Sequence, residues 1–222
     1  MYRADVSRIV IFGAGGRAGR RAVVEAASRG HQVTAVVRDP SAHPDLAVPG
    51  VQLVQGDVTD PDSVAQVAAG QDAAISTVYR PDVVADEFYV AGVHALLEGL
   101  TQARVPRLVI VGIGTLLHTR PGVRYMDEPE FLPEWMPFNL GRVAELDALQ
   151  AADTVVDWVV VAAPPTPLDN AAPRSDRYRV GGLDLPADWA TGTQFSYADL
   201  LAAVVDEIDA PEHHRRLVAV TY

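Results

Sequence analysis

Residues 12–20 read FGAGGRAGR, and two glycine spacings overlap in that stretch. One is Gly13-x-Gly15-x-x-Ala18; the other is Gly13-x-x-Gly16-x-x-Gly19. Either spacing lets the chain turn tightly, brings backbone N–H groups close to phosphate oxygens, and packs a following helix against the preceding strand. Both therefore predict the same diphosphate seat, at a helix N-terminus whose dipole favours an anion. A plain structural turn could use the same glycines, so the context decides: an apolar β-rich run precedes them and a helical pattern follows.

Those flanking elements belong to a longer alternation. Residues 8–12, 32–37, 51–55, 73–76, 108–111 and 158–161 read as strands, and 18–29, 61–69, 87–103 and 139–151 as helices. Asp60-Pro61 and Ser196-x-x-Asp199 supply helix starts, the second before an apolar-periodic stretch over 200–208, and residues 216–222 read as a last strand. This alternation predicts an α/β fold, a doubly wound parallel sheet of Rossmann type, as one domain over 1–222 with a small C-terminal substrate-side region. Ligands then belong at the carboxyl ends of the strands. After the second strand, an acid would accept from a bare ribose hydroxyl, whereas an arginine suits a 2′-phosphate. Arg38 stands there, with Asp39 beside it, so NADP is expected, with NAD as the alternative. Arg17 offers a second guanidinium for the same phosphate. Asp57 after the third strand either accepts from adenine, with Val58 over the ring, or only shapes a turn.

Composition narrows the chemistry. The chain of 222 residues has no cysteine, and all 18 of its basic residues are arginine. Thiolate catalysis, disulfides and any catalytic lysine are excluded. A formal charge of −11 disfavours a nucleic-acid partner. No apolar run of spanning length and no leader pattern is evident, so a cytoplasmic protein with no membrane role is expected. His213 and His214 are adjacent and diverge, no His-x-x-x-His occurs, and no metal site is expected. Neither a Gly-x-Ser-x-Gly elbow nor a persuasive carboxylate pair is present.

Taken in order, "IVIFGAGGRAGR", "GHQVTAVVRDP", "GDVTD", "AAISTVYRPD", "LVIVGIGT", "WVVVAAPPTP", "RYRVGG" and "FSYADLLAAVVDEI" span nearly the whole chain. They resemble the atypical short-chain dehydrogenase/reductase proteins with an NmrA-like, NAD(P)H-binding domain, a group that includes single-domain flavin reductases and biliverdin-IXβ-reductase-like proteins. The resemblance selects the Gly13, Gly16, Gly19 frame. The more usual loop there is GATGxTG, so Gly15 and Ala18 each replace a threonine. It implies that Gly13, Gly16, Arg17 and Ala18 line the diphosphate, Arg38 the 2′-phosphate, and Asp57 and Val58 the adenine. It further implies that Thr77, Val78 and Arg80 border the ribose and phosphates, and that Gly112, Ile113, Gly114, Thr115, Ala163, Pro164 and Pro165 flank the nicotinamide. A serine that some of these reductases carry after the fifth strand is Ile113 here.

The usual mechanism of these enzymes uses a tyrosine whose pKa a lysine four residues later depresses. That pair cannot exist without lysine, and its segment is matched to Trp135-Met136. Thr115 and His118 remain as candidate polar groups of a reaction pocket. Hydride transfer to a flavin needs only stacking and exclusion of wrong geometries, because the ring system itself accommodates the charge. In the irregular stretch 118–138, with its four prolines, Tyr125, Met126, Phe131, Trp135, Met136 and Phe138 are expected either to cover such a pocket or to pack the loop on the core. The expected activity is NADPH-dependent reduction of a flat conjugated acceptor, free flavin (as substrate) or a quinone, by a monomer or homodimer. The alternatives are a tyrosine-independent ketoreductase acting on a polyketide-like ketone, and an NADP-binding redox sensor without turnover.

Overall fold

The computed structural model describes residues 6–80 and 82–222. Its centre is β1 (Arg8–Phe12), a strand whose last four residues are all buried, as a strand covered on both faces must be. The side chains alternate: Ile9 and Ile11 enter one core, Val10 and Phe12 the other. β1 pairs in parallel with β2 (Gln32–Val37) on one side and β4 (Ala73–Ser76) on the other. Outward lie β3 (Val51–Gln55) beyond β2, and then β5 (Arg107–Val111), β8 (Asp157–Ala162) and β10 (Arg216–Thr221) beyond β4. These seven strands are parallel, which matches the expected doubly wound sheet.

The helices divide between the faces. α1 (Arg17–Ser28) and α5 (Tyr197–Asp209) cover the Ile9 side, and α2 (Pro61–Ala68), α3 (Ala85–Ala103) and α4 (Met136–Ala151) cover the Val10 side. Local chemistry starts them as expected in two cases: Asp60 caps α2 through Asp62 N, and Ser196 caps α5 through Asp199 N. α4 begins three residues earlier than the apolar pattern indicated, because Pro137 sits in its first turn, where the missing N–H costs nothing.

The irregular stretch 118–138 and the proline-rich stretch 164–186 carry short pairing. A hairpin of β6 (His118–Arg120) and β7 (Val123–Arg124) occupies the first, and β9 (Arg179–Val180) runs antiparallel to β10 in the second. Strands of two or three residues are too short to leave a periodic signal. The two stretches also bond to each other, His118 N donating to Leu183 O (2.8 Å) and Leu185 N to His118 O (2.8 Å).

The amino edge of the sheet is held by charge. The buried Arg107 donates to Asp157 (2.6 Å), to Glu207 Oε2 (2.8 Å) and to the Glu207 carbonyl (3.1 Å), while His213 Nδ1 lies 2.6 Å from Glu207 Oε1. Removing one member strands the other in a dry site, so Glu207→Leu should lower unfolding free energy by about 3 kcal/mol in urea titrations and leave ligand affinity unchanged. At the carboxyl edge, burial works against the charge of Asp199. Hydrogen bonds from Ser175 N (2.8 Å), Ser175 Oγ (2.7 Å) and Tyr222 Oη (2.8 Å) outweigh that and hold its carboxyl below the usual range. A depressed folded-state pKa means stability that is present at neutral pH and lost on acidification. Asp199→Asn should therefore melt below the wild type at pH 7, with the gap closing as pH falls below about 4.

Candidate functional site

The glycine turn links β1 to α1 at the carboxyl edge, beside the point where strand order reverses. Gly13 has φ +76°, and a Cβ there would lie 3.0 Å from Thr77 Oγ1. Gly19 is more constrained still: a Cβ would meet Gly13 O at 2.1 Å. The third position that demands glycine is thus Gly19, in keeping with the Gly13, Gly16, Gly19 frame. Thr77 fastens the turn from below, donating to Phe12 O (3.0 Å) and lying 3.2 Å from Gly13 O. Gly16 is the N-cap of α1, and no side chain caps the helix, which leaves its first amides to face an anion.

Above this turn opens a cavity of about 900 Å³. Gly13, Gly15, Gly16, Arg17 and Ala18 line it from the turn, and Gly19 lies beneath. Arg38 comes from the end of β2, Asp57 and Val58 from β3, and Thr77, Val78 and Arg80 from β4. Gly112, Ile113 and Gly114 after β5, with Ala163, Pro164 and Pro165 after β8, complete the far wall. Every strand end named from the sequence therefore reaches one cleft.

The charges in the cleft are unevenly committed. Arg80 pairs with Asp82 (2.7 Å). Arg17 lies 5.9 Å over the Tyr197 ring, and among the described residues neither Arg17 nor Arg38 has a carboxylate within salt-bridge distance. Asp39 turns away into its own 3-10 turn, accepting from Ser41 N (2.9 Å) and Ser41 Oγ (2.6 Å). Those bonds hold its carboxyl below the usual range. Asp57 accepts from Thr59 N (2.9 Å) and Thr59 Oγ1 (2.7 Å), and these bonds, with the charge of Arg38, lower its pKa.

The expected reaction-side groups are placed elsewhere. Thr115 donates to Asn139 Oδ1, and Asn139 Nδ2 donates to Trp135 O (2.8 Å), so this hydroxyl ties the post-β5 turn to α4 rather than facing the cavity. His118 lies in the β6–β7 hairpin, 3.6 Å from Asp184, and does not line the cavity. The six-residue cover is also absent from its walls. Tyr125 packs edge-on with Phe131 (5.6 Å) and Trp189 (5.0 Å), Met126 is buried, Met136 is half-buried, Trp135 is exposed, and Phe138 packs against Tyr79 (5.2 Å) and Tyr89 (5.9 Å). The pairing of His118 with Leu183 and Leu185 draws this stretch toward the β8–β10 side, which favours packing on the core over a lid. The rings that do border the cavity are Tyr79, Phe88 and Tyr197.

Sequence reasoning missed His43 and Arg142, both cavity residues. Phe138 and Arg142 stand four apart on α4, the tyrosine–lysine separation, which was the available signal; the pair was instead sought at Trp135 and Met136. Arg142 is buried, donates to Val111 O (2.8 Å), pairs with Glu145 (3.0 Å) and lies 4.5 Å over the Tyr89 ring. Its Nε has no partner among the described residues. Burial pushes the Glu145 carboxyl upward despite Arg142. Among the described residues no cluster of three or more His, Asp or Glu could hold a metal, and no helix is long and apolar enough to cross a membrane.

A parallel sheet in the order β3-β2-β1-β4-β5, with a glycine turn at its switch point and free arginines at the cleft, defines a Rossmann-type dinucleotide-binding protein. Residues 13–211 match the NAD(P)H-binding family model, and the chain belongs to that family of oxidoreductase-like proteins. It is 32% identical over 208 residues to the uncharacterized protein YwnB of Bacillus subtilis (strain 168), covering 93% of this chain and 94% of that one. A protein of Bacteroides thetaiotaomicron provisionally named an epimerase superposes with a TM-score of 0.85 at 30% identity, over 98% of both chains. A protein of Streptococcus pneumoniae TIGR4 provisionally named an NADH-flavin reductase gives 0.79 at 24% identity, over 96% of this chain and 98% of that one, a likeness of fold.

Gly19→Ala forces a methyl into the Gly13 carbonyl, an overpacking that costs about 1–3 kcal/mol unless the turn moves. The expected result is NADPH affinity reduced about tenfold or more by calorimetry; an unchanged dissociation constant would show that this turn does not hold the diphosphate.

Proposed function

We propose that this chain is an NADPH-dependent reductase that passes hydride to a flat conjugated acceptor, free flavin or a quinone, working as a single cytoplasmic domain. The observation that carries the reading is a cleft that gathers the glycine turn, Arg38 and the turns after β5 and β8 in a chain without lysine, so that no tyrosine–lysine pair can supply a proton there. An acceptor that takes its proton from water fits such a site, and a simple ketone does not.

In this reading the α1 N-terminus and Arg17 hold the diphosphate, and Arg38 the 2′-phosphate. Asp57 and Val58 receive adenine, and Thr77, Val78 and Arg80 the adjoining sugar and phosphates. The nicotinamide lies between the Gly112–Gly114 turn and the Ala163–Pro165 turn. NADPH, when bound, supplies the hydride; the protein's part is to orient it and to leave one ring face open to the acceptor. That Arg38 makes no ion pair among the described residues, with Asp39 capped onto Ser41, supports NADPH over NADH.

The test is steady-state oxidation of NADPH and NADH by the purified protein against FMN, FAD, a quinone and a no-acceptor control. Turnover with flavin or quinone and a preference for NADPH are expected. Arg38→Ala should raise the KM for NADPH about tenfold, with kcat and the KM for NADH little changed. NADPH binding without oxidation by any acceptor would replace the reductase with a sensor, and clean reduction of a ketone without flavin would replace it with a ketoreductase.

A further inference from the structure

The 3-10 turns that follow β2 fold back over the glycine turn, and His43 is the residue that makes the contact. A Cβ built on Gly15 would lie 2.5 Å from His43 Nε2, 2.7 Å from Cε1 and 3.0 Å from Cδ2, so the imidazole face at its Nε2 side covers a position that must be bare. Arg20 locks the arrangement. Its Nε donates to Gly15 O (3.0 Å), its NH2 lies 2.9 Å from His43 Nδ1, and its NH1 pairs with Asp45. One guanidinium thus ties together the glycine turn, the imidazole and the turn that carries it.

This geometry sets the tautomer. A guanidinium has only donors, so Nδ1 accepts and Nε2 carries the proton. Both His43 and Gly15 line the cavity, and His43 reaches it from the same connection that begins at Arg38. We propose that His43 Nε2–H is a second recognition group for the phosphate monoester on the adenosine ribose, acting with Arg38. The inference rests on the NADPH reading of the site and deepens it. Three observations favour the ribose phosphate as its ligand. Arg38 has no carboxylate partner among the described residues, Asp39, the acid that a bare ribose would use, is capped onto Ser41, and the end of β2 is where the adenosine ribose lies in a sheet of this order. Gly15 is then bare for a reason apart from diphosphate approach: it leaves room for a donor brought from 28 residues further along the chain.

The test uses the full chain and two fragment ligands, 2′,5′-ADP and 5′-AMP, which differ only in the 2′-phosphate, with dissociation constants from calorimetry. The wild type is expected to prefer 2′,5′-ADP. His43→Ala should weaken 2′,5′-ADP about tenfold to a hundredfold, the loss of one charge-assisted hydrogen bond, and change 5′-AMP less than about twofold. His43→Gln, whose amide can donate from nearly the same place, should recover part of the loss. Gly15→Thr should weaken 2′,5′-ADP in the His43 protein, by displacing the ring, but cause no further loss in the His43→Ala protein, where the space is free. Retained preference in His43→Ala would overturn the role of His43 while leaving the NADPH reading intact. Equal loss of both ligands would overturn the 2′-phosphate assignment. A wild type that does not distinguish the two ligands would overturn the NADPH reading itself.

Discussion

The close crossing of the backbone at Gly13 and Gly19 is the constraint on which the rest of the molecule depends. With no side chain at Gly19, the first turn of α1 can lie against the Gly13 carbonyl, and with φ +76° at Gly13 the chain can leave β1 and enter the helix at once. The helix N-terminus is then held at the carboxyl edge of the central strand, uncapped and facing the cleft. Thr77 bonds the same carbonyls from β4, so the two strands on either side of the switch point share one fixed floor. A shift of even a methyl's width there would move the helix N-terminus and every cavity wall measured from it.

Electrostatics follows a division of labour among arginines. In a chain of net charge −11 several arginines find carboxylates: Arg107 with Asp157 and Glu207, Arg29 with Glu25, Asp206 and Asp209, Arg142 with Glu145. These pairs fasten strand starts and helix ends in partly dry surroundings, where a lone partner would be costly. Of the arginines that make no ion pair among the described residues, Arg17 and Arg38 are the ones that face the cavity. Against so acidic a background, guanidinium groups left uncompensated in a cleft mark the place where a negatively charged ligand can supply the missing charge.

The α4 side of the molecule holds no tyrosine–lysine pair, since the chain has no lysine. Phe138 and Arg142 preserve the spacing of a proton-donating pair without its chemistry, and Thr115 is engaged with Asn139. Arg142 keeps a buried Nε without a partner among the described residues beside the cavity and lies over the Tyr89 ring.

Much of this was legible in the residue order. The alternation of short buried runs with amphipathic stretches determined the doubly wound sheet, because a parallel strand covered on both faces leaves no choice but continuous apolar residues. The glycine turn and the residues just past each strand named most of the cavity wall, since in this topology all parallel strands deliver their carboxyl ends to one edge. Contacts between segments distant in sequence were not legible. Whether Tyr125 and Phe131 covered the cavity or packed elsewhere depended on backbone pairing of His118 with Leu183 and Leu185, and two-residue strands leave no periodic trace. His43 against Gly15, and Arg142 against Tyr89, depended on where a turn and a helix came to rest. Local pattern determined which residues lie at the edge; only the packed structure decided which of them face one another, because a side chain's neighbours across a cleft are set by tertiary contacts that no short window of sequence contains.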